Sequence, residues 1–471
     1  MSAPDIESSF DPPLDPAFRS GRRQAISLLG LSCVGIGSVV SGCRGPEDPG
    51  EAPPVVTTGG RTGPTEDDAR GDRGRPRPPS TEPLMRVRVG RVDADEVELG
   101  AASRLFWLTA PGTGYAGMHG GPIRLKRTST GWTIRSTSRG RTVSRRIPEA
   151  SAITIVASDQ DENGPAFKEQ SLRGTVHVVA LQRESGRSLD VVCHIPMESY
   201  LPGVLAGELF ESWRPATHES LAIAARSFAV CERHHWLSRR HYDVVAGERS
   251  QAWQGGSAPR RAREAVQKTA GRVLLYRDRV VPAYYSAACG GRPAAALDAI
   301  SPNPVNGIPP LAIPARDRRG LCSCRSFGPH GAWRTSFNAT ETLAAIRRRA
   351  IGAGGAGFER ASWPLRFRVV EAHASGRPRR YRIESPASKE VGEMTAVELQ
   401  RLLNGIKKGR RVRSADFEVM VRPDGIQIDG SGFGHGVGLC QYGSEFMARS
   451  GASSEAILRR YYPGSELRRA W

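Results

Sequence analysis

The sequence predicts an α+β fold, a single large unit of mixed strands and helices, preceded by a signal segment and a disordered tether. Three observations predict it. Runs such as "MRVRVGRV" (85–92) and "EVELGAA" (96–102) alternate apolar and polar residues with the period of a half-buried strand. The stretch "HESLAIAARSFAVCERHHWLS" from His218 instead places Leu221, Ala225, Phe228 and Ala229 on one helical face. Strands and helices follow one another without a regular β-α-β rhythm, which favours α+β over a doubly wound sheet.

Taken in order, the chain opens with Arg22-Arg23, an apolar run from Ala25 to Val40, and Val40-Ser41-Gly42-Cys43. A positive region, an apolar stretch and a small-residue site make an export signal rather than a domain element. The arginine pair is twin-arginine-like, and Val-Ser-Gly-Cys is similar to the bacterial lipobox, which predicts an acylated Cys43 over residues 1–43. Residues 44–84 are Pro, Gly, Thr and charged residues with almost no large apolar side chain, too little to offset the entropy of ordering, so they predict a linker. The expected location is therefore outside the cytoplasmic membrane, in the cell envelope or periplasm, with a lipid anchor to that membrane.

The globular part is expected over 85–471. Further strands are predicted at "GWTIRSTS", "GTVHVVALQ", "LDVVCHIP", "GRVLLYR" and "VVPAYYSAA". Beyond them come a helix near Glu341–Arg349, strands near Leu365–Glu371 and Arg380–Ile383, and a helix opening with the capping box Thr395-x-x-Glu398. The strands "FEVMVRP" and "GIQIDG" lead into a glycine-rich segment, and a last helix spans Ser454–Tyr462.

The 471 residues carry a formal net charge of +19, which suits nucleic acid, an anionic surface or an acidic polymer without choosing among them. No helix-turn-helix, zinc-finger spacing or aromatic RNA-binding signature accompanies it, so no nucleic-acid partner is expected. A metal-dependent hydrolase is disfavoured as well, because no H-x-x-x-H pair is present and the adjacent His234-His235 would point apart on a helix.

The ionisable groups cluster between Glu198 and Val230. Glu208 follows "GVLAG" and precedes Leu209-Phe210; apolar neighbours desolvate a carboxyl and favour the protonated form that a general acid needs. Arg226, set among small residues in "AARSFA", needs a carboxylate partner, as a structural ion pair or at a ligand site.

Five blocks occur in order: "IPMESYLPGVLAGEL", "AIAARSFAV", "SQAWQGG", "YYSAACGG" and "GFGHGVGLCQYG…YYPGSEL". Together they resemble the stage II sporulation protein D / amidase enhancer (SpoIID/LytB) family over nearly all of the globular part. The resemblance implies a peptidoglycan-acting protein outside the membrane. Sporulation members are lytic transglycosylases that cut glycan strands stripped of stem peptides, and others enhance an N-acetylmuramoyl-L-alanine amidase. The family's catalytic glutamate carries over to Glu208. A lytic transglycosylase manages with one carboxyl, which protonates the glycosidic oxygen and then takes the proton of the muramic acid C6 hydroxyl, so no carboxylate pair is demanded. The blocks also nominate Arg226, Ser250, Gln251, Tyr285, His435, Gln441 and Tyr442 for the glycan. Two departures stand out: Leu221 occupies a position where relatives commonly carry glutamine, and the usual "MSQYG" reads Leu439-Cys440-Gln441-Tyr442-Gly443.

Six glycines in fourteen residues (430–443) admit two readings. In one, bare backbone brings N–H groups close to glycan hydroxyls beside His435, Gln441 and Tyr442. In the other, a tight glycine-rich turn packs on the core and His435 is structural. The cysteines also leave alternatives open. Cys289, Cys322 and Cys324, with His330 nearby, would make a structural zinc site, and relatives that bind zinc in the region reading "CGG" here support it; a disulfide from Cys289 to Cys322 or Cys324 is the other possibility. Cys193, Cys231 and Cys440 are expected to be small buried residues. No cofactor beyond that zinc is expected.

Overall fold

The computed structural model describes residues 74–471, apart from 101–104, 139–140, 158–164, 169, 184–185, 248–249, 257, 314–321, 350–355, 387 and 407–411. The predicted export signal, Cys43 and most of the predicted linker lie outside the described residues. Residues 74–83, assigned by composition to the linker, instead lie on the fold. The fully buried Arg75 guanidinium donates to the carbonyls of Tyr276 (3.0 Å) and Arg279 (3.2 Å).

The molecule is a mixture of helices and several sheets. The predicted alternation at 85–92 becomes β1 (Leu84–Val92), with Met85 and Val87 buried, and "EVEL" becomes β2 (Glu96–Leu99). β3 (Leu105–Ala110), β4 (Tyr115–Gly120), β5 (Ile123–Thr128), β6 (Gly131–Ser138), β7 (Arg141–Ile147) and β8 (Ala152–Ala157) follow. After the short pair β9 (Ala166–Phe167) and β10 (Gln170–Ser171) come the long hairpin strands β11 (Thr175–Arg183) and β12 (Gly186–Pro196). With β13 (Val244–Val245) they build a seven-stranded sheet in the order β13-β1-β12-β11-β8-β3-β4, while β2-β5-β6-β7 form a second sheet. Alternate side chains of both sheets bury Phe106, Leu108, Ile123, Leu125, Trp132, Ile153, Ile155, Val176 and Val178.

β12 runs directly into α1 (Met197–Glu208), followed by α2 (Pro215–Trp236) and α3 (Arg260–Lys268). α2 opens on Pro215, where the missing N–H would have had no helical partner. Its residues Thr217 to Cys231 are all buried, so it is the central helix of the main core, and each large apolar side chain there contributes about 1.5–3 kcal/mol. Leu221 is one of these fully buried side chains.

A second hydrophobic cluster is built from residues between Trp333 and Ile428. It is formed by the sheet β17 (Trp333–Asn338), β22 (Gly425–Gly430) and β21 (Phe417–Arg422), and by the sheet β18 (Arg366–Ala372), β19 (Pro378–Ser385) and β20 (Ser388–Thr395). The helices α4 (Ala339–Arg348) and α5 (Ala396–Asn404) join it. The capping box at Thr395 and Glu398 forms with both of its bonds. The chain then returns to the main core through β23 (Leu439–Cys440), α6 (Gln441–Arg449), α7 (Ser454–Tyr461) and β24 (Glu466–Arg469). β24 pairs with β14 (Arg272–Tyr276), which also pairs with β15 (Arg279–Val280), and β23 pairs in parallel with β16 (Tyr285–Ser286). Among the described residues no helix is long and apolar enough to cross a membrane.

Candidate active site

Glu208 is the last residue of α1, and three distant segments meet there. Gly203 and Gly207, one turn apart, share a face of α1. A Cβ on either would collide with the backbone of residues 252–255, so these glycines let that loop lie against bare helix. The loop is pinned by Gln251, which is fully buried: its carbonyl oxygen accepts from Tyr200 Oη (2.9 Å), and its amide donates to Tyr285 Oη (3.0 Å) and to the carbonyl of Ala225 (3.3 Å). The next residue, Ala252, donates its backbone N–H to Glu208 Oε1 at 3.0 Å. On the other side Gln441, first residue of α6, donates Nε2 to Glu208 Oε2 at 2.9 Å. Both oxygens of a half-buried carboxyl are thereby oriented by amide donors.

An aromatic row runs from Phe210, two residues beyond Glu208 in the chain, to Tyr442, the neighbour of Gln441. Phe210 is 52% exposed and contacts the buried Trp213 at 5.4 Å between ring centroids. Trp213 meets the edge of Tyr442 at 5.0 Å. Burial pushes the Tyr442 hydroxyl up to about 12, so it stays protonated.

The nominated residues therefore divide. Glu208 and Gln441 meet directly, and the ring of Tyr442 packs on Trp213 and His330. Arg226 does not reach a ligand-accessible surface, which corrects its assignment to substrate. It is fully buried, with Nε and Nη2 on Glu198 at 2.9 and 2.6 Å and Nη1 on the carbonyl of Arg272 at 3.1 Å. Gln251 and Tyr285 are likewise fully buried and Ser250 is 6% exposed, so the "SQAW" and "YYSA" blocks contribute scaffold rather than contact surface.

The backbone of the glycine segment packs on the core, with the His435 side chain half-buried. Its N–H groups are bonded inside the protein: Ser431 to the carbonyl of Asp416, Gly432 to His330, Phe433 to Ala288, Gly434 to Arg413, Leu439 to Tyr284 and Tyr442 to Ala287. Gly438 has φ +67°, and a Cβ there would run into the Tyr284 carbonyl. The bare backbone thus serves close packing against residues 284–290. His435 accepts the Val437 N–H at Nδ1 (3.0 Å), leaving the ring proton on Nε2. Burial, reinforced by the Arg377 guanidinium, pushes its pKa down to about 3, so it is neutral.

The cysteines are the second departure from expectation. Cys289, Cys322, Cys324 and Cys440 are all buried, and their four Sγ atoms lie within 4.8 Å of one another. No disulfide joins them. The fourth sulfur comes from Cys440, not a nitrogen from His330, whose ring packs on Phe433 (4.7 Å) and Tyr442 (5.4 Å). "LCQYG" offered a signal, a cysteine where relatives carry serine; a C-x-C pair 116 residues upstream gave no hint that it would meet that cysteine. Ala252 and Trp213 were missed for simpler reasons. A backbone donor has no side-chain signature, and a lone tryptophan reads as core. An open cavity of about 560 Å³, lined by Arg292, Arg325, Trp333, Arg334, Glu418 and Asp429 among others, is not lined by Glu208, Ala252 or Gln441.

Residues 185–276, from β12 through α1 and α2 to β14, match the family model described as Stage II sporulation protein (SpoIID). The chain is similar to stage II sporulation protein D of Bacillus subtilis (strain 168), 25% identical over 328 residues, covering 65% of this chain and 83% of the relative. It is similar to the protein of that name from Bacillus amyloliquefaciens, 26% identical over 359 residues, 70% and 88% of the two chains. The amidase enhancer of Bacillus subtilis (strain 168) is 24% identical over 296 residues, covering 57% of this chain but 40% of the enhancer. Glu208, Arg226, Gln251 and Ala252 all fall inside the matched segment, so it is over the helices and loop that carry the candidate site that the chain is similar to the stage II sporulation protein (SpoIID) family.

Proposed function

We propose that the protein is an exported lytic transglycosylase that cleaves the MurNAc–GlcNAc bonds of peptidoglycan glycan strands, with Glu208 as its single acid and base. The observation that carries this reading is the half-buried Glu208 carboxyl, oriented by the Ala252 N–H and the Gln441 carboxamide, with the exposed Phe210 two residues further along the chain. Protonated Glu208 gives its proton to the glycosidic oxygen as the C1–O bond breaks, and positive charge develops at C1. The resulting carboxylate then takes the proton of the C6 hydroxyl, whose oxygen closes on C1 to give the 1,6-anhydro ring. Glu208 ends protonated as it began, and no water is consumed. The two amide donors fix the carboxyl in place through both steps, the positional restraint on which such proton transfers depend. Phe210 offers a flat apolar face to a sugar ring.

The proposed substrate is peptide-stripped glycan, and the proposed setting is the cell envelope, with Cys43 acylated and residues 44–73 as a tether. A second reading rests on the similarity to an amidase enhancer: the same site holds glycan without cutting it and activates an N-acetylmuramoyl-L-alanine amidase.

Peptide-free glycan strands incubated with the full chain, beside the Glu208→Gln variant, distinguish these readings by mass spectrometry of the products. Anhydro-muramic ends from the parent alone are expected. Reducing ends would mean hydrolysis, with a second carboxylate such as the exposed Glu211 activating water. Glycan bound by both proteins and cut by neither would leave the activator reading.

A further inference from the structure

The four-cysteine cluster is assembled from three segments remote in sequence: Cys289 just after β16, the Cys322-Ser323-Cys324 pair, and Cys440 at the junction of β23 and α6. The sulfurs of Cys289 and Cys324 are 3.5 Å apart, far beyond the roughly 2.05 Å of a disulfide. Four thiolates around one zinc ion at about 2.3 Å place their sulfurs about 3.8 Å apart, so a cluster confined within 4.8 Å has the size of a single-ion tetrahedron.

The surroundings are also those of a built site. Cys440 Sγ accepts two backbone N–H groups, from Cys289 at 3.5 Å and Gly443 at 3.4 Å, as a ligating sulfur does in an organised outer shell. Gly443 leaves room that a Cβ would fill, since one there would press on Cys322 Sγ and on the Tyr461 hydroxyl. Cys193 and Cys231, the other described cysteines, bond backbone carbonyls elsewhere, at Arg173 and Val280.

Cys440 is followed directly by Gln441, whose carboxamide holds Glu208. We propose that Cys289, Cys322, Cys324 and Cys440 bind one structural zinc ion, and that this ion clasps the start of α6 so that Gln441 meets the Glu208 carboxyl. Four thiolates leave no open position for water, so the ion does no chemistry itself. It ties the segment carrying Gln441 to the segments at 289 and 322–324. Only the catalytic consequence rests on the transglycosylase reading; the ion and the clasp are testable without it.

The test uses the full chain. Elemental analysis after purification is expected to find one zinc per chain, and cobalt added to the chelated protein should give the sulfur-to-metal absorption and d–d bands of a tetrahedral tetrathiolate site. Cys440→Ser is expected to weaken zinc binding about tenfold or more and to alter the cobalt spectrum, while Cys193→Ser leaves both unchanged. Hydrogen exchange reads the clasp: on zinc removal the amides of 440–449, of 205–213 and of Ala252 should lose protection, whereas those of β3 and β4 keep theirs. Should the chain cleave glycan, zinc removal is expected to lower kcat with KM retained. Thiols paired as disulfides without metal, iron in place of zinc, or equal zinc binding by Cys440→Ser would overturn the site. Unchanged protection at 205–213 after metal loss would overturn the clasp. An absence of cleavage together with the expected metal and exchange results would remove the catalytic role assigned to Glu208 and leave the zinc clasp standing.

Discussion

Glu198 and Glu208 sit at opposite ends of α1, and the helix treats them differently. Glu198 faces inward to the fully buried Arg226 and accepts two of its N–H groups, together with the N–H of Gly271 (3.0 Å). Glu208 accepts from a backbone amide and a glutamine carboxamide, two residues before an exposed aromatic side chain. One carboxylate completes an internal ion pair, and the other is oriented at the surface. Two glutamates ten residues apart on one helix can thus divide into a structural and a chemical role, set by what the fold brings to each.

The sharpest way to break this comparison is to neutralise each in turn. Glu208→Gln is expected to reduce cleavage of peptide-free glycan by about 10³-fold or more, within the range of general acid catalysis, while the thermal midpoint stays close to that of the parent. Cleavage retained in the variant would end the assignment. Glu198→Gln should do the opposite. It strands the Arg226 guanidinium in the core and costs on the order of 3 kcal/mol of stability, read as a lower midpoint in urea unfolding, with near-parental activity in the molecules that remain folded. A variant that stays stable but inactive would move Glu198 into the site.

Gln441→Leu tests the orientation rather than the carboxyl. Removing one of two donors is expected to lower kcat about 10–50-fold, or ~1.4–2.3 kcal/mol in the barrier, with glycan affinity little altered. An unchanged kcat would show that the Ala252 N–H alone holds the carboxyl.

Much of this architecture was legible beforehand because it is local. Alternation named β1, β2, β11 and β12, the capping box named α5, and the 3.6-residue period named α2. Glu208 could be singled out because its neighbours are apolar and its block is distinctive. The other nominated residues were found as a set, but a motif does not say which side of a side chain meets water. Arg226, Gln251 and Tyr285 proved internal, and their part is to pin the loop that offers the Ala252 N–H or to close an ion pair. The Gln441–Glu208 bond spans 233 positions, and the four-sulfur cluster spans 151 from Cys289 to Cys440. Contacts at that range depend on how β16 pairs with β23, two residues on each side, too short a pairing to leave a periodic trace.

The glycine segment gives the smallest expected effect and sharpens the comparison from the other side, since His435 is a titratable group that the fold keeps from titrating. Its pKa is pushed from 6.5 to about 3 by burial and by the Arg377 guanidinium, and the Val437 N–H occupies Nδ1. Between these two values the unfolded chain takes up a proton that the folded chain refuses. The unfolded state therefore binds more protons there, so stability falls as pH drops below about 6.5 and is unaffected by this group above about 7.5. From pH 7 to pH 5 one such histidine removes on the order of 1–2 kcal/mol. His330 and His373, both held near 4 chiefly by burial, add to the slope and are common to parent and variant. His435→Asn keeps an oxygen that can accept the Val437 N–H but has no proton to gain, so its stability should fall less steeply over the same interval. Urea unfolding of both proteins at pH 7 and pH 5 measures the difference, and parallel losses would mean that His435 takes up its proton in the folded protein as it does in the unfolded chain.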